Sequence, residues 1–196
     1  MDLKGITKIV NEDYAQGYIL DSFMKAAGHL HEKVLLCYGD VMFDRTVIEP
    51  LIQRGEDIVL AVDPSFKKAD TGHHTLELVR TAKRPSQGAR SLENRHNPVL
   101  EISTKINKNK ADYEFIGIAL LSKKGFMELL KEYKLAVNKY KGKRFHGAAQ
   151  FKKASFADML NEMIKKKYRV ETMAVRSGWI EMHTFENYKL ACSLTA

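Results

Sequence analysis

The spacing of apolar positions changes several times along the chain, and each change marks an element. Ile19, Leu20, Phe23, Met24, Ala27 and Leu30 recur at three- and four-residue intervals, which predicts an amphipathic helix over residues 18–30. Val34 to Cys37 is a continuous apolar run, and such a run without alternation predicts a strand covered on both faces, with Cys37 inside the core. Val47, Ile48, Leu51 and Ile52 predict a short helix ended by Gly55. Asp57 to Asp63 (DIVLAVD) predicts a second buried strand that ends in a carboxylate. The order strand, helix, strand implies a right-handed crossover and a parallel pair.

From Pro64 to Lys110 the pattern decays. Leu76–Val79 and Val99–Ile102 read as short strands, and the remainder, including His73-His74, reads as excursion or loop. Order returns at Glu114–Leu121 (EFIGIALL), a strand with Gly117 inside it, which marks a close approach of backbone or ligand. Ser122 is placed to cap the next helix, where Phe126, Met127, Leu130 and Tyr133 share a face. Phe156, Met159, Leu160, Met163 and Ile164 form another helical stripe, Val170–Val175 another strand. Trp179–Thr184 (WIEMHT) leads into a last helix with Thr184 as its N-cap and Glu186 in its first turn. The alternation of strands and helices is that of an α/β fold.

Composition changes this picture little. At 196 residues the chain fits one domain with a sizeable core. No apolar run reaches membrane-spanning length, and the N-terminus (MDLKGITKIVNEDY) has no signal-peptide h-region, so a cytoplasmic protein without membrane contact is expected. Two cysteines make no disulfide framework. The formal net charge of +8 is spread, with most of the dense clusters in KYKGKR at 139–144, Lys152-Lys153 and Lys165–Lys167; aromatics are not interleaved with these in a single-strand stacking pattern, and there is no nucleic-acid-binding signature. It reads as a bias toward anionic small molecules rather than nucleic acid.

The candidate chemistry lies in Val34–Asp44 (VLLCYGDVMFD). Asp40 stands just past a strand end, where open α/β sheets bind ligands, and a carboxylate there can hold a divalent cation against phosphates; an Asx turn is the plain structural alternative. Gly39 beside it lets the backbone approach a ligand. His73-His74 lack a partner at metal-ligand spacing and read as a loop pair.

The series YGDVMFD, DIVLAVD, EFIGIALL, SFADMLNEMIKKKYRV and SGWIEMHTFENYKLA resembles the nucleotidyltransferases that make nucleoside-diphosphate sugars and alcohols. The branch it resembles most is that of phosphocholine cytidylyltransferases, and within it the cytidylyltransferase domain fused to phosphoenolpyruvate mutase in phosphonate pathways. The resemblance extends over nearly the whole chain. It implies a Rossmann-like, mostly parallel sheet with flanking helices, and a single nucleotidyltransferase-like domain over 1–196 equal to the C-terminal two-thirds of the family pattern. The family opens with a strand, a Gly-rich loop and a Lys that cradle phosphates. Here the first glycines, Gly5, Gly17 and Gly28, are isolated. An N-terminally truncated unit is therefore expected, one that turns CTP over poorly by itself, associates with itself, or is fused to an upstream domain.

Residue by residue, the resemblance implies that Asp40 is the catalytic metal-binding carboxylate for Mg²⁺, with Glu181 as the second. His183 stands where close relatives often place an Asp, and is expected at the rim of the cleft. Trp179 would wall the acceptor pocket or serve as a core residue; Glu114 and Asp158 would face the acceptor or play local roles; Gly39 and Gly117 complete the substrate-binding set. The implied partners are a nucleoside triphosphate, CTP above all, and a small phosphorylated or phosphonate acceptor. The alternative is a transferase-like domain that binds but does not catalyse.

Overall fold

The computed structural model describes residues 5–67, 75–85 and 96–194, so His73 and His74 lie outside the described residues. In chain order the elements are α1 (Ile19–Lys25), β1 (Val34–Cys37), β2 (Val41–Phe43), α2 (Arg45–Ile52), β3 (Ile58–Asp63), β4 (Leu78–Thr81), β5 (Val99–Ser103), β6 (Tyr113–Leu121), α3 (Lys123–Lys139), α4 (Phe156–Lys165), β7 (Glu171–Ala174), β8 (Trp179–Glu181) and α5 (Phe185–Leu194). The caps read from the sequence form. Ser122 Oγ accepts from Gly125 N–H at 3.0 Å, and Thr184 Oγ1 accepts from Asn187 N–H at 3.1 Å. In α3 the buried face is Phe126, Leu129 and Ala136, while Met127 is exposed, so the expected face is rotated toward Leu129.

β6 organises the sheet, because all of its residues are buried and both faces are apolar. β3 lies antiparallel on one edge of β6, from Ile58 opposite Leu121 to Asp63 opposite Glu114, and β7 lies parallel to β3 beyond it. The other edge of β6 is shared by β1 opposite Ile118–Leu121 and β4 opposite Tyr113 and Glu114, with β5 beyond β4. The flanking layers are as expected. Leu20 of α1, Phe126 and Leu129 of α3, and Phe156, Leu160 and Met163 of α4 pack with Leu60, Val62 and Phe115 on one face. Val47 and Leu51 of α2 pack with Val59, Ala61, Ile116 and Ile118 on the other.

Two expectations are corrected. β1 and β3 run in the same direction, but β6 lies between them and pairs antiparallel with both, so among the described strands only β3·β7 is a parallel pair and the sheet is mixed rather than mostly parallel. The long two-sided apolar ladder of β6 offers more buried contact than a direct β1·β3 pairing, and nothing local in the sequence announces this. Second, β1 is covered on one face only: Val34 and Leu36 are buried, Leu35 and Cys37 exposed. Among the described residues its other edge is open. An open apolar edge favours pairing between molecules, so Leu35→Lys is expected to lower self-association, read as a smaller scattering mass at tens of micromolar protein.

Candidate active site

β2 and β8 form a separate antiparallel ribbon, with Val41 opposite Glu181 and Phe43 opposite Trp179. Met182 N–H donates to the Asp40 carbonyl at 2.8 Å, which extends the ribbon by one step past Glu181. The far end is tied down through Asp44. Its N–H donates to the Gly178 carbonyl at 2.8 Å, and its carboxylate accepts from Thr46 N–H at 2.8 Å to cap α2. In an extended segment, residues two apart share a face, so Glu181 and His183 project together beside Asp40. Ligand atoms of Asp40, Glu181 and His183 all lie within 4.8 Å of one another, and His183 Nε2 is 2.8 Å from Glu181 Oε2.

The structure thus brings Asp40 and Glu181 together as expected, but by another route. Asp40 stands just before β2 and Glu181 at the end of β8 in a two-stranded ribbon, rather than both at the carboxyl ends of neighbouring strands of the open sheet, and His183 stands inside the cluster rather than at its rim. Ligand atoms of one Mg²⁺ lie up to about 4.2 Å apart, since first-shell bonds are about 2.1 Å. Small side-chain adjustments therefore suffice for the three residues to share an ion. Two carboxylates suit a hard cation better than the imidazole does.

Behind the cluster, Asp63 and Glu114 face each other across β3 and β6, and both are buried. Trp179 Nε1–H donates to Asp63 Oδ2 at 2.9 Å, which seats the half-buried indole against this pair. Burial, and then the negative charges of Glu181 and Asp63, push the Glu114 carboxyl up to about 7. Glu77, just before β4, is likewise pushed up to about 7, by burial first and by the charges of Asp158 and Glu181, against the opposing hydrogen bond from the Tyr38 hydroxyl. A cleft of about 630 Å³ opens next to Asp40, with Tyr14, Tyr18, Phe23 and Tyr38 in its walls.

The other expected residues fall as follows. Asp158 is buried, with its oxygens engaged by Gly147 N–H at 2.8 Å, Ser155 N–H at 2.9 Å and Ser155 Oγ–H at 3.1 Å, a capping box on α4. Gly117 has φ of +75°, and the close approach it allows is to the Tyr38 ring, 2.8 Å from where a Cβ would stand. Gly39 is exposed between the strand end and Asp40. Asp63 and Glu77 were not singled out by sequence. Asp63 carries a signal, a carboxylate at the end of a buried strand, whereas Glu77, inside the short strand read over Leu76–Val79, carries no chemical signal.

The raised Glu114 value predicts a pH dependence of stability. A carboxyl whose value rises from 4.5 to about 7 on folding binds protons more tightly in the folded state. Its stabilisation is fully present below 4.5 and is lost as pH rises through about 7. Glu114→Gln removes this dependence, worth on the order of 2 kcal/mol. The drop in melting temperature between pH 5 and pH 8 is therefore expected to shrink by about 4–8 °C in thermal unfolding followed by circular dichroism.

No family model matches the chain, and no curated protein matches it in sequence. Solved structures do. The inositol-1-phosphate CTP transferase from T. maritima superposes with a TM-score of 0.63 at 15% identity, over 94% of this chain and 65% of that one. A putative glucose-1-phosphate thymidylyltransferase from Bacillus anthracis, in complex with a sucrose, gives 0.61 at 15% identity over 95% and 63%. The CTP:phosphocholine cytidylyltransferase from Streptococcus pneumoniae gives 0.58 at 12% identity over 95% and 67%. The chain therefore spans about two thirds of the length of these neighbours. Among the described residues no helix is long and apolar enough to cross a membrane. At such identities the likeness establishes the fold: this chain has the nucleotide-diphospho-sugar transferase fold, and its structural neighbours are nucleotidyltransferases.

Proposed function

We propose that this chain is a cytidylyltransferase-like unit that holds Mg²⁺ through Asp40 and Glu181 and serves transfer of a nucleotidyl group from CTP to a small phosphate- or phosphonate-bearing acceptor. The observation that carries this reading is the convergence of Asp40, Glu181 and His183 within 4.8 Å in a chain of this fold. In the reaction an acceptor oxygen attacks the α-phosphorus in line, the bond to the β-phosphate oxygen breaks, and pyrophosphate leaves. The acceptor oxygen is already anionic, so no general base is required, and positioning with charge stabilisation supplies the catalysis. A bound Mg²⁺ supplies charge neutralisation at the phosphates. The His183 imidazole, its Nε2 2.8 Å from Glu181 Oε2, orients that carboxylate.

Asp63, Glu114 and Trp179 sit together near the Glu181 charge, and in this reading the half-buried indole takes the other end of such an acceptor. Two carboxyl groups and an indole favour an ammonium head, by charge and by cation–π contact, as in phosphocholine or 2-aminoethylphosphonate. Gly39 borders the cleft beside Asp40, Gly117 makes room for the Tyr38 ring, and Asp158 serves the α4 cap. A cytoplasmic setting, assembly with a phosphoenolpyruvate mutase domain, and a role in phosphonate assembly belong to this reading on the sequence resemblance. A second reading is an acceptor-binding unit without turnover.

The test combines calorimetry with Mn²⁺, phosphocholine and 2-aminoethylphosphonate and a pyrophosphate assay with CTP and Mg²⁺. Residues 1–196 alone are expected to bind metal and acceptor and to release little pyrophosphate. Robust release that disappears in Asp40→Ala would favour a complete catalytic site over the second reading. Failure to bind either Mn²⁺ or an acceptor would overturn both readings.

A further inference from the structure

β1 and β4 lie end to end along one edge of β6, and neither pairs with Phe115–Gly117 in between. The seam is closed by the residues that flank the two strands. Tyr38 N–H, just past β1, donates to the Gly117 carbonyl at 2.9 Å, and Phe115 N–H donates to the carbonyl of Glu77, just before β4, at 2.8 Å. The side chains then meet across the gap, with the Tyr38 hydroxyl donating to Glu77 Oε2 at 3.0 Å. The Tyr38 ring stands edge-on to Phe115, with centroids 5.8 Å apart at 81°, and presses on Gly117, whose missing Cβ makes room for it.

Asp40 leaves the sheet at this seam. Only Gly39 separates it from Tyr38, and nothing lies within 4 Å of where a Gly39 Cβ would be, so Gly39 offers no packing restraint of its own. Asp40 is therefore held from two sides: by the anchored Tyr38 before it, and by the Met182 N–H bond to its own carbonyl in the ribbon. The ribbon side carries Glu181 and His183 with it; the seam side registers Asp40 against the main sheet. We propose that Tyr38 and Glu77 are positioning residues for the metal site, and that their side-chain bond across the β1–β4 seam sets where the Asp40 carboxylate stands relative to Glu181. This proposal rests on the reading of Asp40 and Glu181 as metal ligands.

The predicted consequence is a loss of metal affinity without loss of any ligand. In calorimetric titrations with Mn²⁺ as the probe, Tyr38→Phe and Glu77→Ala are each expected to weaken binding about tenfold, the low end of the effect of removing a residue that orients a metal ligand. Glu77→Gln keeps an oxygen that accepts from the Tyr38 hydroxyl and is expected to bind Mn²⁺ nearly as wild type does. The double variant Tyr38→Phe/Glu77→Ala should be no weaker than either single one, because both remove the same bond. Leu129→Ala, which opens a cavity in the core away from the seam, lowers the melting temperature and should leave Mn²⁺ affinity unchanged.

Wild-type affinity in both Tyr38→Phe and Glu77→Ala, with binding still lost in Asp40→Ala, would overturn the positioning proposal and leave the metal site standing. Weakening in Glu77→Gln equal to that in Glu77→Ala would also overturn it, since the loss would then follow charge rather than the bond. Absence of saturable Mn²⁺ binding in the wild type would overturn the metal reading and this proposal with it. If Glu77→Ala fails to fold, Tyr38→Phe decides the matter alone.

Discussion

Asp40→Ala is expected to reduce Mn²⁺ affinity by about 100-fold or more, roughly 2.8 kcal/mol. The variant leaves one carboxylate, Glu181, and one imidazole, His183, whose Nε2 is already 2.8 Å from Glu181. A hard divalent cation held by a single carboxylate and a nitrogen loses half of its charged oxygen ligands. Calorimetric titration measures this directly. Asp158→Ala is the contrasting variant, because its carboxylate serves the α4 capping box and Gly147. It should lower stability by about 1 kcal/mol, the worth of a lost helix cap, and leave Mn²⁺ binding in place. Equal loss of affinity in both variants would remove Asp40 from its assigned role.

Gly125→Ala is expected to be among the most destabilising single-methyl changes available in this chain. Gly125 is the third residue of α3 and is buried against the residue that precedes β3. A Cβ there would stand 2.0 Å from the Asp57 carbonyl oxygen and 2.7 Å from its carbon, so backbone rather than a flexible side chain must yield. That backbone is itself pinned. Ser122 N–H donates to the Asp57 carbonyl at 2.9 Å, Ser122 Oγ–H to Asp57 Oδ1 at 2.8 Å, and Lys124 Nζ to Asp57 Oδ2 at 2.6 Å. The gain in helix propensity, about 1 kcal/mol, is outweighed, and a net loss of about 3 kcal/mol follows from overpacking. Gly28→Ala, with nothing within 4 Å, should stay within about 0.5 kcal/mol of wild type. Urea midpoints of the two variants compare them, and a neutral Gly125→Ala would refute the packing argument.

The apolar runs of β3 and β6, the stripe of α4 and the caps at Ser122 and Thr184 were readable because each depends on residues a few positions apart. β1 was readable as a strand but not as an open edge, since a four-residue apolar run looks the same whether one face or two are covered. Asp40 was readable as a carboxylate just past a strand end, and Glu181 only through the family resemblance. Their meeting was not, because it depends on a ribbon between segments at 41–43 and 179–181. Glu77 lies in the short strand read over Leu76–Val79, where nothing marks it as part of a site, and only the seam gives its carboxylate a partner.

By itself the sequence determined the strands of the main sheet, the helices that flank it and which side chains can serve as ligands for a hard cation, but not the short strands β2 and β8. Those properties follow from local periodicity, capping chemistry and side-chain type. The tertiary structure alone decided that β6 separates β1 from β3, that β1 and β4 meet end to end, and that Asp40, Glu181 and His183 share one corner of the fold. Pairings of that kind join residues far apart in the chain. They are selected by the total area that many strands bury together, a quantity that no short window of sequence contains.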